Sequence, residues 1–352
     1  PPGTVDHIGV HDSESTAFAL KQAISESGAS VPDAIVSLSG QGSVLVRTLE
    51  VQNMSDSELK QHMEWEFTRN IPFAESTVET DFKAYPPTAP DAQNLDVVMA
   101  IATRSAVDNL VAMLKTAGKK AAAIDVEPLG LLRAMNMSQN GQMAGKRVCL
   151  VEVGHKTTSI NIYQDEKLLM PRQVPIGGEL FTRAIADNMG MSFEEAELAK
   201  HTQATLPESA ALAAAPNMGA TVQSYNPFAD DAGSAPADAP AEAPVESAPV
   251  AAPNQFYAAM AQPLDEFVSE VRRSIDYFKS KGGDVDAVLL CGGGSKLGNM
   301  DKFLASALGM SVEMFDPMGG LEVSPRKGDP ELASNHRADF AVAVGNGLHI
   351  CF

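Results

Sequence analysis

The stretch that most constrains the fold is residues 147–163, RVCLVEVGHKTTSINIY. Its apolar runs, VCLVEV and TSINIY, are rich in β-branched residues and have the length of strands. The turn between them holds Gly154, Lys156, Thr157 and Thr158. A small residue, backbone N–H groups, a cation and hydroxyls can hold a phosphate chain and its magnesium ion. An ordinary hairpin turn is the alternative interpretation of the same residues.

Composition limits the class of protein. The chain has 352 residues, which is long for one core and suggests two or more lobes. A formal net charge of −19 without a basic stripe argues against a nucleic-acid binder. No window reaches about 18 unbroken apolar residues, so we expect no membrane-spanning segment. Cys149, Cys291 and Cys351 are far apart, and we interpret them as reduced packing residues.

Before the hairpin, the chain predicts alternating helices and strands. A helix over residues 15–27 ends at Gly28, and strands are predicted over 34–39 and 43–51. Further strands are predicted over 78–85, 95–102 and 122–126, and a helix over 105–117. The side chains predicted to face inward on that last helix are Val107, Leu110, Val111 and Leu114. Residues 46–123 therefore look like a compact α/β insertion.

The helix predicted over residues 55–70 has the clearest start signal. Ser55 and Glu58 form a capping box. A buried stripe follows at four-residue spacing: Leu59, Met63 and Phe67. Trp65 and Phe73 fall off this stripe. They form either a second packing surface or an apolar ledge for a partner.

After the hairpin, a strand over 167–176 and a helix over 179–189 are predicted, followed by a helix with its own capping box, Ser192 and Glu195. On this helix Glu197 and Lys200 are three residues apart and so share a face. They are either a solvated ion pair or a clamp for ribose hydroxyls.

Residues 203–254 are different in kind, because Ala, Pro and Ser dominate and no Lys or Arg occurs. Such a stretch buries too little apolar surface to offset its ordering entropy, so we predict a disordered acidic loop inserted within a domain. A helix from Phe256 and a buried strand over 285–291 follow. The strand leads into a turn that lets the backbone approach a ligand closely: Gly292, Gly293, Gly294 and Ser295. Two further helices are predicted over residues 299–308 and 339–348.

The order of these pieces resembles the actin/Hsp70-like ATPase fold, and within it the PilM family of type IV pilus assembly proteins. The stretches that carry the resemblance are EWEFTRNIPF, VEVGHKTTSINIY, RQVPIGGELFTRAIADNMGMSFEEAELAK, VRRSIDYF and LLCGGGSKLGNMDKFLASAL. Each motif alone is moderately specific, but their order and spacing together are strong evidence for the resemblance.

The resemblance implies an α/β, actin-like (ribonuclease H-like) two-lobed ATPase fold that holds ATP in its cleft, with Mg2+ held indirectly through the phosphates. The implied nucleotide contacts are Glu152, Gly154, Thr157 and Thr158 for the second phosphate loop, Glu197 and Lys200 for the ribose, and Gly292, Gly293, Gly294 and Ser295 for the adenosine. No protein metal site is implied, and no catalytic residue can be assigned.

The resemblance also implies a division of the chain. The first lobe takes residues 1–45, 124–145 and 335–352, and the second takes 146–202 and 255–334. Residues 46–123 match a subdomain inserted as in the division protein FtsA, and 203–254 stay a disordered insertion.

In that family the protein is cytoplasmic and peripheral at the inner membrane, where it holds the N-terminal tail of the membrane protein PilN in a groove beside the inserted subdomain. We therefore expect a scaffold that couples the inner-membrane platform to the pilus motor for twitching motility. Nucleotide would act as a conformational ligand, with weak or no hydrolysis. The alternatives are a filament-forming FtsA/MreB-like ATPase, a sugar kinase of the same fold, or the cytoplasmic part of a type II secretion platform.

Two departures from the family pattern matter. The family's first phosphate loop lies on an N-terminal hairpin, and we expect this chain to begin after it, since it starts at Pro1 without methionine. The acid that opens the second phosphate loop is usually Asp, but here it is Glu152, one methylene longer. In-line positioning of a hydrolytic water tolerates such a shift poorly.

Overall fold

The structure is a computed structural model. It describes residues 3–5, 9–40, 42–74, 77–87, 89, 92–139, 141–209, 255–322 and 330–349. Most of the predicted acidic loop, residues 210–254, and also Cys351 lie outside the described residues.

Helices and strands alternate along the described part of the chain. In chain order they are α1 (Ser13–Ser27), β1 (Asp33–Leu38), β2 (Val44–Gln52), α2 (Asp56–Asn70), β3 (Val78–Ala84), β4 (Asn94–Thr103), α3 (Arg104–Thr116), β5 (Lys120–Val126), α4 (Glu127–Ser138), β6 (Arg147–Val153), β7 (Thr158–Gln164), β8 (Lys167–Val174), α5 (Gly178–Met189), α6 (Phe193–Thr202), α7 (Gln255–Ser280), β9 (Ala287–Cys291), α8 (Met300–Leu308), β10 (Val312–Met314), α9 (Pro330–Asn335) and α10 (Ala341–Gly347). Short 3₁₀ turns cover Gly293–Lys296 and Arg337–Phe340.

The strands form three sheets. The largest has the order β10-β9-β6-β7-β8, and the central hairpin β6–β7 was predicted correctly. A three-stranded antiparallel sheet has the order β2-β4-β3, and β1 pairs with β5 in parallel. The strand β2 is therefore at an edge of its own sheet, and β8 is at an edge of the largest one.

The largest sheet is covered on both faces because successive side chains of a strand point to opposite sides. Cys149, Val151 and Val153 of β6 pack with α5, α6, α7 and α8 in one apolar cluster. Val148 and Leu150 pack on the other face against the helices α4 and α10. The apolar side chains on the two faces of this sheet therefore belong to two different clusters.

Helices α4 and α10 cross with their backbones almost in contact. A Cβ added to Gly345 would lie 1.8 Å from the carbonyl oxygen of Gly130. Beside this crossing, the Ser37 hydroxyl donates to Asn346 Oδ1 at 2.6 Å, and Arg133 Nε donates to the Gly345 carbonyl at 2.9 Å. The crossing therefore fixes α10 against both β1 and the start of α4.

The last part of the predicted insertion, residues 104–123, makes its main contacts outside the three-stranded sheet. The separate sheet β2-β4-β3 ends at Thr103. The helix α3 packs on α1 in one apolar cluster, and β5 pairs with β1. Hydrogen bonding and packing therefore associate residues 104–123 with the predicted first lobe. The lobe and insertion boundaries all stay a prediction.

Three smaller expectations also differ from the structure. Val111 was predicted to face inward but is exposed, because the buried stripe of α3 runs through Met113 instead. The helix α4 was not predicted, although its Pro128 lies in the first turn, where proline is well tolerated. The predicted disordered loop included residues 203–209, but Leu206 is buried and its N–H donates to the Gly298 carbonyl at 2.8 Å.

Candidate functional site

The turn of the central hairpin is closed by its own backbone. Gly154 N–H donates to the Thr157 carbonyl at 2.9 Å. The Thr158 hydroxyl is buried and donates to the Ile176 carbonyl at 2.7 Å. Of the two predicted hydroxyls, that of Thr158 therefore serves the fold, and Thr157 is the one placed at the turn itself.

The N-terminus of α5 donates backbone hydrogen bonds to this turn. Gly178 N–H donates to the Gly154 carbonyl at 2.9 Å, and Glu179 N–H donates to the His155 carbonyl at 2.8 Å. Lys156 Nζ lies 3.6 Å from a Glu179 carboxylate oxygen. Because the first N–H groups of α5 are used in this way, a phosphate at this turn would be held by the turn and by Lys156.

The glycine-rich turn after β9 packs directly on the end of β6. A Cβ at Gly292, where φ is +86°, would lie 2.5 Å from the Val153 carbonyl oxygen, and one at Gly294 would lie 2.4 Å from Val153 Cγ1. The buried Ser295 hydroxyl donates to the Gly292 carbonyl at 2.7 Å. These three residues therefore shape the turn. Gly293 is different, because the nearest atom to its added Cβ is 3.7 Å away.

Glu197 and Lys200 on α6 form an ion pair in which Lys200 is buried and Glu197 is half-buried. Lys200 Nζ donates to Glu197 Oε2 at 2.8 Å, to the Thr182 hydroxyl at 2.7 Å and to the Gly178 carbonyl at 3.1 Å. An ammonium has three donors, so all of them are used. Burial raises the pKa of Glu197, but hydrogen bonds from Lys200 and Thr182 outweigh it and lower the pKa to about 2.

The three predicted corners of the nucleotide site meet at Gly178. A Cβ added there would lie 3.4 Å from Lys200 Nζ, 3.7 Å from the Gly154 carbonyl oxygen and 3.9 Å from Gly294 Cα. The hairpin turn, the α6 pair and the glycine-rich turn are therefore brought together, as the sequence led us to expect. Their role in holding nucleotide stays a prediction.

Three carboxyl groups from different elements, those of Glu152, Glu127 and Asp339, interact electrostatically with one another. Burial raises the pKa of Glu152 well above its ordinary value, and the charges of Glu127 and Asp339 raise it further. Burial also raises the pKa of Glu127, against hydrogen bonds from Ser159 and Ser39. Within the described ranges, no group of three or more His, Cys, Asp or Glu side chains is placed to hold a metal ion directly.

Glu127 was missed in the sequence. It follows the last residue of β5 and opens α4, and its carboxylate accepts a hydrogen bond from Ser159. The sequence signal that could have identified Glu127 is an acidic residue placed between the end of a predicted strand and a proline. Asp339, from the segment before α10, accepts from Lys296 Nζ at 2.7 Å and lies 2.8 Å from His336 Nδ1.

Comparison with known proteins decides the family. The family model described as "Type IV pilus assembly protein PilM" matches residues 1–224. The chain belongs to the PilM family. A second model, for the cell division protein FtsA, matches residues 149–345. This PilM family member therefore has the actin-like α/β fold that the resemblance implied.

Individual relatives agree with this assignment. A solved "PilM-PilN type IV pilus biogenesis complex" aligns over 99% of this chain and 88% of its own, with a TM-score of 0.77 and 23% identity, which shows the shared fold. The cell division protein FtsA of Bacillus subtilis (strain 168) is 31% identical over 98 residues, which is 28% of this chain. The PilM-family chain matches only 22% of the length of that curated relative.

Over the described ranges, no helix combines the length and the apolar character needed to cross a membrane.

Proposed function

We propose that this protein is a nucleotide-binding scaffold of the type IV pilus inner-membrane platform. It works at the cytoplasmic face and binds the cytoplasmic N-terminal tail of a PilN-like membrane protein. The main support for nucleotide binding is that the hairpin turn, α6 and the glycine-rich turn all meet at Gly178.

The residues around Gly178 fit an adenine nucleotide. The space beside Gly293 suits the adenosine, and the hairpin turn with Lys156 suits the phosphates. Lys200 has used its donors, so the ribose contact falls to Glu197, which keeps acceptor capacity. Bound Mg2+ would neutralise the phosphates and the nearby carboxylates Glu152 and Glu127.

We infer weak or absent hydrolysis, so that nucleotide acts as a conformational ligand. Glu152 is one methylene longer than the acid that opens this loop in the family pattern. Burial and the neighbouring Glu127 favour the protonated form of Glu152, whereas a residue that orients water must be ionised and held in place.

We place the N-terminal tail of the PilN-like partner in a cavity between the three-stranded sheet and the predicted first lobe, which we call the tail cavity. It has a volume of about 490 Å³. Its lining residues are Gly9, Val10, His11, Gly42, Ser43, Pro72, Phe73, Ala74, Thr103, Ser105, Ala106 and Asn109. Phe73, which the sequence placed off the buried stripe of α2, is half-buried here, whereas Trp65 is exposed and stacks with Arg69. An apolar cavity with a few polar groups is the common form of a peptide or ligand site.

Titration of a synthetic PilN-type tail peptide against the protein tests this proposal. We expect saturable binding, and Phe73→Ala should weaken it about tenfold or more, because aromatic anchors dominate such interfaces. Phe18→Ala, a matched change at a side chain 71% exposed on α1, should leave the affinity unchanged. Absence of binding with and without Mg–ATP would contradict the scaffold role.

A filament-forming ATPase is the second candidate, favoured by the match of the FtsA family model to residues 149–345. It predicts that the protein sediments in an ATP-dependent manner and releases phosphate steadily. The scaffold proposal predicts neither.

A further inference from the structure

A lysine, a histidine and an aspartate form a closed cluster beside the glycine-rich turn. Lys296 Nζ lies 2.7 Å from Asp339 Oδ2 and 2.8 Å from His336 Nδ1, and these last two atoms lie 2.8 Å from each other. Lys296 ends the 3₁₀ turn that follows β9, whereas His336 and Asp339 lie just before α10. We call these three residues the latch, because they join the predicted second lobe to the predicted first lobe.

The main chain brings the two segments of the latch together. Gly292 N–H donates to the Ala338 carbonyl at 3.0 Å, and Asp339 N–H donates to the His336 carbonyl at 3.0 Å. The side chains of the latch stay partly exposed, at 24% for Lys296, 28% for Asp339 and 43% for His336. A ligand can therefore reach them, and their substitution does not open the apolar core.

The three contacts of the latch cannot all be favourable at once. An ammonium only donates, an ionised carboxylate only accepts, and an imidazole nitrogen does one or the other. If Nδ1 of His336 accepts from Lys296, it meets the Asp339 carboxylate as a second acceptor. If Nδ1 carries a proton, it donates to Asp339 but meets the Lys296 ammonium, which is another donor. One contact is therefore unfavourable in either protonation state of His336.

The latch borders the space that the proposed function assigns to adenosine. Asp339 makes both of its latch contacts through Oδ2, and its Oδ1 is the nearest atom to a Cβ added at Gly293, at 3.7 Å. The Lys296 ammonium therefore lies behind the Asp339 carboxylate as seen from that space. Lysine has a flexible four-carbon stem, so the ammonium can turn from the carboxylate to acceptor atoms of a bound nucleotide.

The charges around His336 make Lys296 the group that opposes its protonation. Arg337, the next residue, is paired with Asp316 at 2.8 Å. The charge of Asp339 also acts on Glu152 of β6, so the side of the latch that faces the site is acidic. Nearby negative charge favours the imidazolium form of a histidine, and a nearby cation disfavours it.

We propose that Lys296 exchanges partners when nucleotide binds: its ammonium leaves Asp339 and His336 for the nucleotide, and His336 takes up one proton from solvent and donates it in a hydrogen bond to Asp339. This inference rests on the proposed nucleotide site and adds one residue and one proton to it. The exchange breaks no covalent bond. It removes the unfavourable contact, because the imidazolium then faces a carboxylate without a second cation beside it.

Calorimetric titration with Mg–ATP in buffers of different ionisation enthalpy tests the proton uptake. Near pH 7 we expect the wild type to take up about half a proton more per nucleotide than His336→Asn, since histidine changes charge in this pH range and the exchange favours its charged form. The asparagine amide does not titrate. Protons exchanged by Mg–ATP itself are common to both proteins and cancel in the difference.

Lys296→Met tests the other half of the exchange. It should weaken Mg–ATP binding about tenfold or more, because a charge-assisted hydrogen bond to the nucleotide is lost. It should also abolish the extra proton uptake, since His336 then pairs with Asp339 before nucleotide binds. Lys302→Met is the matched control, because Lys302 lies on α8 and pairs with Glu208. It should leave both the affinity and the proton uptake unchanged.

The outcomes separate this inference from the nucleotide site itself. If the wild type binds Mg–ATP but takes up no more protons than His336→Asn, the partner exchange is wrong while the nucleotide site stands. If Lys296→Met binds Mg–ATP as tightly as the wild type, Lys296 stays with Asp339 and the inference is again overturned. If the wild type does not bind Mg–ATP, the nucleotide site and the exchange are both wrong.

Discussion

Gly345→Ala should destabilise the protein by about 3 kcal/mol, the upper end of the usual cost of overpacking, because only backbone movement can relieve the clash. An added Cβ would lie 1.8 Å from the Gly130 carbonyl oxygen and 2.4 Å from its carbonyl carbon. Neither atom belongs to a flexible side chain, so α4 and α10 would have to separate. Urea unfolding monitored by circular dichroism measures the loss.

Gly347→Ala is the control for this change. An added Cβ there meets nothing within 4 Å. Since it is the last residue of the same helix, alanine should be neutral or slightly stabilising. Equal stability of the Gly345 and Gly347 variants would show that the two helices do not cross at Gly130.

Glu152→Gln should stabilise the nucleotide-free protein at neutral pH, by on the order of 2 kcal/mol, the scale of a close repulsion between partly buried like charges. Burial and the charges of Glu127 and Asp339 raise the pKa of Glu152 above the ordinary 4.5. A raised pKa means that the folded state binds the proton more tightly than the unfolded state. The stabilisation is therefore complete below about pH 4.5 and is lost as the pH rises through the folded-state pKa.

Thermal melts from pH 4 to pH 8 measure this effect. The wild type should lose stability as the pH rises, and the glutamine variant should lose less. Asp301→Asn, a matched change at the start of α8 away from the three carboxylates, should follow the wild-type curve. Parallel curves for Glu152→Gln and wild type would show that this carboxyl carries no repulsion in the folded protein.

Local sequence signals predicted most of the secondary structure. The capping box of α2 is present, with Ser55 N–H donating to Glu58 at 3.0 Å, and the buried stripe of Leu59, Met63 and Phe67 lies in the core of the three-stranded sheet. These features depend on neighbours within one or two turns of a helix. Because these neighbours lie close together in the sequence, the sequence pattern alone predicts the feature.

Features that depend on distant residues were harder to predict. The close approach of Gly345 to Gly130 in α4 could not be predicted, because the two residues lie more than 200 positions apart along the chain. The three donors of Lys200 are taken up by α5 as well as α6, which spacing within α6 could not show. The buried amide of Asn161, which has no hydrogen-bond partner among the described residues, depends on the packing around β7 and has no sequence signature.

The central claim is that the corners meeting at Gly178 hold an adenine nucleotide, and Gly293 allows the most direct test. An added Cβ at Gly293 has no neighbour closer than 3.7 Å, so the fold should tolerate Gly293→Val, while the side chain would occupy the space assigned to adenosine. We predict that calorimetric titration with Mg–ATP shows binding to the wild type and at least tenfold weaker binding to Gly293→Val, with an unchanged melting temperature. Equal Mg–ATP affinity of the two proteins, or no binding to either, would contradict the claim.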